Sequence, residues 1–405
     1  MSGRRALAGS LLALLMPASM ILVTQTSSSS ADTSDSISTS VSERRAKKTR
    51  VSLVALPQIV GQGKRPASAG SAQAGLTATV KPGKPGRTVA LQVKKGNKWK
   101  TVKKTKVNKK GRAEFGAPIS KGGQALTYRA QAMAFKGSKA GKSKSVSTSR
   151  WMTPTWTDEF SGSTLGPVWN HRGGTYEPQS LRACSKGDPR AVSVGGGTAR
   201  LSVIKDPSRS EKCNAKKDGK STGKFAYRLN GHIGTQDAFS FKYGFAAARI
   251  KFQKSRGQHG AFWMQPEVSV DGATDPRLTG AEIDVIEYFG DKHPEGGLTS
   301  FVYSKNKKGQ GVKTGSWIKD SRSFLKNKKD GWSKNFHVFS VEWTPNVYIF
   351  RIDGKETYRT KVGVSGQPQY PILSMLASDY EISKIVKDSK LPQSMTVDWI
   401  RVWQA

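Results

Sequence analysis

The sequence predicts an all-β protein: one large β-sandwich of the jelly-roll type, preceded by a smaller β-sandwich. Three observations carry this. From Trp156 onward, short strand-like runs alternate with Gly, Asn and Asp turns for about 250 residues, the texture of a single large sandwich. No amphipathic pattern longer than about two helical turns interrupts it. Composition also shifts near residue 150, because residues 51–150 hold 22 Lys and Arg against one acid, Glu114.

In chain order, residues 1–31 carry basic residues, then an apolar run from Ala6 to Val23, then small polar residues. That is the layout of a secretory signal peptide, with an uncleaved membrane anchor as the alternative. Residues 32–50 are a Ser-rich, basic linker ending in "ERRAKKTR". Over 51–137, "TVALQV" and "KWKTVKKTKV" alternate with period two, and turn signals fall at Gly96-Asn97 and Lys110-Gly111. This basic β-sandwich resembles bacterial immunoglobulin-like accessory domains. Residues 138–153, "SKAGKSKSVSTSRWMT", read as a second linker, and 154–405 as the large domain. Within it "RLSVIK", "FKYGFAAARIKFQ", "GAFWMQPEVSV", "HVFSVEWTPNVYIFRIDG" and "MTVDWIRVWQ" are strand-like, and Asp353-Gly354 turns a hairpin.

The net charge of +38 attracts polyanions. An anionic wall polymer or acidic polysaccharide is the expected partner of the basic domain, with no specific nucleic acid implied. The two cysteines, Cys184 and Cys213, lack metal-ligand spacing, and the five His form no cluster. For an exported chain the expectation is one disulfide closing a loop of about 29 residues, worth roughly 3–4 kcal/mol. Two free buried thiols are the alternative.

The chemistry lies in "TGAEIDVIEYFGD", residues 279–291. On a regular strand Glu282 and Asp284 share one face and Glu287 points away. One β-bulge restores Glu287 to the face of the other two, whereas a helix would fan the three acids apart. Two Glu carboxyls leaning together with an Asp between them suit a glycosidase pair, the like charges splitting their pKa values. An exposed, merely solvated acidic face is the alternative reading of this pattern alone.

Six segments in order, "WTDEFSGSTLGPVWN", "YGFAAARIKFQ", "GAFWMQP", "AEIDVIEYFG", "FHVFSVEWTPNVYIFRIDGK" and "MTVDWIRVWQ", resemble glycoside hydrolase family 16, the laminarinase and agarase group with a concave jelly roll. The resemblance implies Glu282 as nucleophile, Glu287 as general acid/base and Asp284 as the acid that orients and tunes them. It implies internal cleavage of a β-1,3-glucan-like polysaccharide with retention; the signal-like start implies a secreted, extracellular protein, the basic domain a cell-wall association, and a monomer is expected. A transglycosylase remodelling wall polymers and a non-catalytic glycan-binding surface protein are the alternatives. Substrate contacts are expected from Trp263, His259 and Tyr303, although alternation alone does not choose between Phe262 and Trp263 as the cleft-facing ring. No cofactor is needed for this chemistry. The resemblance allows a structural calcium, with Asp398 as a candidate ligand, although a strand-end hydrogen bond is the role expected first of that carboxylate.

Overall fold

A computed structural model describes residues 46–67, 71, 73–378 and 387–405. The expected signal peptide, and residues 32–45 of the expected linker, lie outside the described residues. The large domain is the predicted all-β jelly roll. One sheet runs in the spatial order 311–317, 298–305, 282–288, 258–266, 369–377, 228–234, each strand antiparallel to the next. The strand 228–234 also pairs with 198–205, which continues into the second sheet through 393–404, 244–251, 337–344, 347–352 and 355–360.

We label the strands used below β1 (Lys98–Lys106), β2 (Arg112–Ala117), β3 (Gly244–Lys251), β4 (Gln258–Pro266), β5 (Glu282–Tyr288), β6 (Leu298–Lys305), β7 (Gly311–Trp317), β8 (Lys355–Thr360), β9 (Gln369–Ala377) and β10 (Gln393–Gln404). Between the two sheets lies one apolar core, to which β5 contributes Ile283, Val285, Ile286 and Tyr288. Burial of those four fixes the opposite face of β5 as the polar one.

Residues 50–147 form a three-stranded and a five-stranded sheet over a second core. That core does not end at the small sheets. Phe245 and Ala247 of β3, Val338, and Trp399 and Trp403 of β10 belong to it. The outer sheet is therefore apolar on both faces: Ala246, Ala248 and Ile250 point into the large core while Phe245 and Ala247 point out under the small sheets. Polar contacts seal the seam. Arg249 donates to Gly61 O (2.7 Å) and Arg65 O (3.2 Å), Arg401 donates to Gln58 (2.6 Å), and Arg112 pairs with Glu356 (2.6 Å).

Residues 138–153, read from sequence as a linker, instead carry the short strands Gly141–Lys142 and Val146–Ser147, both paired with Thr127–Ala132. Trp151 then buries its ring against Phe245 at 5.2 Å and donates its indole N–H to Ala55 O. The lysines of this stretch mask two short strands that need only their backbone to pair.

Asp398, the calcium candidate, has other partners. Its carboxylate lies 2.5 Å from Arg249 Nη1 in a buried pair and accepts the Ala67 N–H. A guanidinium at that distance holds the place a cation would take, so Asp398 does not fit a calcium ligand. Among the described residues no three His, Cys, Asp or Glu gather where a metal could bind.

Candidate active site

The catalytic candidates owe their placement to a bulge. Across β5 and β4, Asp284 pairs with Trp263 and Ile286 with Phe262, leaving Val285 unmatched; across β5 and β6, the register shifts between Asp284 and Glu287. Val285 and Ile286 both enter the core, so Glu287 returns to the face of Glu282 and Asp284. The Ser300 hydroxyl donates to Val285 O at 2.9 Å, satisfying the carbonyl that the bulge removes from the ladder.

On that face each acid has its own surroundings. Glu282 Oε2 accepts from Gln265 Nε2 at 3.0 Å, and Gln265 Oε1 in turn accepts from Tyr370 OH (2.9 Å) and Arg172 Nη2 (3.1 Å). Glu287 Oε2 accepts from Thr299 Oγ1 at 3.0 Å. Asp284 is buried between them, and burial, then the charges of Glu287 and Glu282, push its pKa well above the ordinary carboxylate value. Burial also raises Glu287; the Thr299 hydrogen bond and the Arg182 charge oppose this, Glu282 reinforces it, and Lys313 opposes it. A carboxyl whose protonated form is favoured by burial, on the same face as a second Glu, is the asymmetry acid/base chemistry needs.

The expected sugar contacts separate. Trp263 stands on the open face, stacked on His232 at 6.0 Å and donating to Ser374 Oγ at 3.0 Å, while Phe262 is in the core. Tyr303 is 38 % exposed, cross-strand from Glu282. His259 differs from expectation. It is buried, with Nδ1 2.7 Å from Ser378 Oγ and Nε2 3.8 Å from Glu287 Oε1, so it has little surface to offer a sugar and stands behind Glu287. Burial, Arg182 and His232 hold its pKa well below the usual imidazole value, leaving it neutral.

Cys184 and Cys213 are joined, with α-carbons 5.6 Å apart. The bond anchors the loop that brings Arg182 to 3.3 Å from His259. Arg182, Arg172, Lys313, Gln265 and Thr299 were not singled out in the sequence. Gln265 had a signal, since it lies two residues past Trp263 on the same strand face. Lys313, poised 3.7 Å from the centre of the Phe301 ring, had none, because its place depends on pairing between β6 and β7.

Comparison with known proteins gives this geometry a context. Residues 202–401 match the model described as Glycosyl hydrolases family 16. The glucan endo-1,3-beta-glucosidase A1 of Niallia circulans is 25 % identical over 275 residues, 62 % of this chain and 38 % of that protein. The keratan-sulfate endo-1,4-beta-galactosidase of Sphingobacterium multivorum is 25 % identical over 186 residues, 44 % of this chain and 40 % of that protein. The chain thus spans about two fifths of the length of these relatives. Among solved structures, the laminarinase catalytic domain of Thermotoga maritima superposes with a TM-score of 0.47 at 18 % identity, covering 62 % of this chain and 98 % of that one.

Proposed function

We propose, from the premise that this chain carries a family 16 glycosyl hydrolase domain, that it is an endo-acting β-glycanase that works with retention. The observation that supports this most is the bulged strand, which sets Glu282, Asp284 and Glu287 on one face beside Trp263 and Tyr303. In the first step the Glu282 carboxylate attacks the anomeric carbon while Glu287 gives its proton to the leaving oxygen, forming a glycosyl-enzyme. In the second, Glu287 takes a proton from water, which attacks the same carbon from the vacated side and frees Glu282. Gln265 holds the nucleophile's other oxygen, and neutral His259 backs the acid/base.

The substrate we propose is a β-1,3-glucan-like polysaccharide, which is what the name of the Niallia circulans relative states for that protein. A second reading, the same chemistry on an acid-bearing β-galactan, is favoured by Lys313, whose charge acts on Asp284 and Glu287, and by Arg172, which reaches Glu282 through Gln265. We further read the small sheets as an immunoglobulin-like accessory domain, and the chain as an exported, wall-associated monomer, for which the disulfide suits an oxidising compartment. Among the described residues no helix is long and apolar enough to cross a membrane.

The deciding experiment takes the purified protein through neutral and acidic β-glycans, with the products sized and their new anomeric centre read by NMR. Cleavage with retention is expected, and Glu282→Gly with azide should yield the inverted glycosyl azide. Glu282→Gln turning over at the wild-type rate would refute the assignment.

A further inference from the structure

The sheet path of the large sandwich ends at two edge strands, β7 and β8, which approach each other where Thr314 Oγ1 meets Tyr358 OH at 2.8 Å. Over this gap the turn between β1 and β2 of the small sheets closes a cavity of about 680 Å³. That is within the usual range for ligand sites.

Its chemistry is lopsided. Glu356 on the wall is taken by Arg112 (2.6 Å) and Arg359 (2.5 Å), and Glu114 by the Glu356 N–H (3.2 Å). Of the lining acids that leaves Asp320 against Lys106, Lys109, Lys319 and Lys355, none of whose ammonium groups makes a hydrogen bond or ion pair with the described residues. Half-buried Trp317, Phe324 and Tyr358 add ring faces to the same wall. Unpaired cations beside aromatic rings suit a sugar polymer with acid groups better than a neutral glycan, which offers the lysines no counter-charge, or a polyol phosphate, which offers the rings no sugar face.

The cavity also continues the catalytic row. Glu287 pairs with Thr299 and Thr299 with Trp317, so Trp317 lies two strands, roughly 10 Å, from the acid/base strand. Its ring stacks on His293 at 4.5 Å and meets Phe289 edge-on at 5.1 Å, and Phe289 stacks on His259 behind Glu287. A chain crossing β5, β6 and β7 leaves the sheet at this edge and arrives at the lysines.

We infer that this cavity anchors an acidic glycan, holding carboxylate or sulfate groups of the polymer whose backbone occupies the cleft. The glycan class rests on the family reading; the site does not. The test uses full-length protein in the Glu282→Gln background, with a sulfated galactan oligosaccharide, its desulfated counterpart and poly-γ-glutamate as probes in calorimetry at fixed salt. Lys106→Gln, Lys109→Gln, Lys319→Gln and Lys355→Gln together should weaken sulfated-oligosaccharide binding ~10-fold. The same number of changes at Lys94, Lys98, Lys100 and Lys104 should have little effect. In the wild type, the sulfated oligosaccharide should shield the first four lysines, and not the second, from acylation, a readout that needs no variant to fold. Equal losses from both sets, equal shielding, equal binding of the desulfated probe, or poly-γ-glutamate showing the same sensitivity would each overturn the site. Cavity-dependent binding in a wild-type protein that cleaves no glycan would refute the hydrolase reading alone, and cleavage without cavity dependence this inference alone.

Discussion

The two faces of the large sandwich give their acids different partners, although burial pushes Asp398 upward just as it does Asp284 and Glu287. On the open face, burial and mutual repulsion push Asp284 and Glu287 upward, and their nearest listeners are hydroxyls, amides and rings. Under the small sheets, acids have arginines in direct contact: Asp398 with Arg249 at 2.5 Å, Glu159 with Arg401 at 2.7 Å, and Glu356 with Arg112 at 2.6 Å. Against the upward push of burial, hydrogen bonds from Arg359 and Arg112 hold Glu356 below its ordinary value. On the open face the charges of Arg182 and Lys313 act on the carboxyls without outweighing burial, whereas the sealed face pairs its acids directly with arginines to join two sandwiches.

Four experiments press on this contrast, from the largest expected effect to the smallest. Deleting residues 46–152 should abolish soluble folded protein, because Phe245, Trp399 and Trp403, each carrying about 150–250 Å² of ring surface, would face water. Adding Phe245→Ser, Trp399→Thr and Trp403→Thr should recover part of the solubility in a sedimentation assay. A soluble, fully active simple deletion would show the seam to be dispensable.

Next, Arg249→Met should cost about 3–5 kcal/mol in denaturant unfolding by stranding buried Asp398, with cleavage at low temperature near the wild-type rate. Asp284→Asn should do the reverse, raising the melting temperature while lowering kcat. The sign follows from proton linkage. A carboxyl whose folded pKa is raised contributes stability at low pH that is lost as pH rises through that value, so removing the ionisable group helps above the ordinary carboxylate range and is silent below it. A Tm difference independent of pH would contradict that account. The smallest effect is expected from Thr299→Val. It removes a bond that favours ionised Glu287, so the alkaline limb of the kcat/KM profile should move to higher pH.

Much of the open face was legible in sequence because strand alternation reports facing directly. Glu282, Asp284 and Glu287 with apolar neighbours called for a bulge, and the register break falls beside Val285. Whether Phe262 or Trp263 faced the cleft was not legible, since that depends on the register β4 takes against a bulged partner. Arg182 arrives on a loop about 100 residues upstream, and Lys313 by a pairing no local pattern specifies. The sealed face also leaves a trace in the sequence. "GFAAARI" has no polar alternation before Arg249, and Trp399 and Trp403 occupy the outward positions of β10, where a solvated sheet would place polar residues.

The bulge in β5 has a bearing on how this strand tolerates changes in length. Loss of one residue at Val285 would give Glu-x-Asp-x-Glu, which keeps all three acids on one face by simple alternation. Facing is therefore not what the extra residue secures. Val285 and Ile286 are both buried, at 2 % and 1 % exposure, so the insertion is stored as volume between the sheets. A shortened strand would keep its carboxyls aligned and leave a hole beneath them, so a one-residue indel here is read by the core before the cleft.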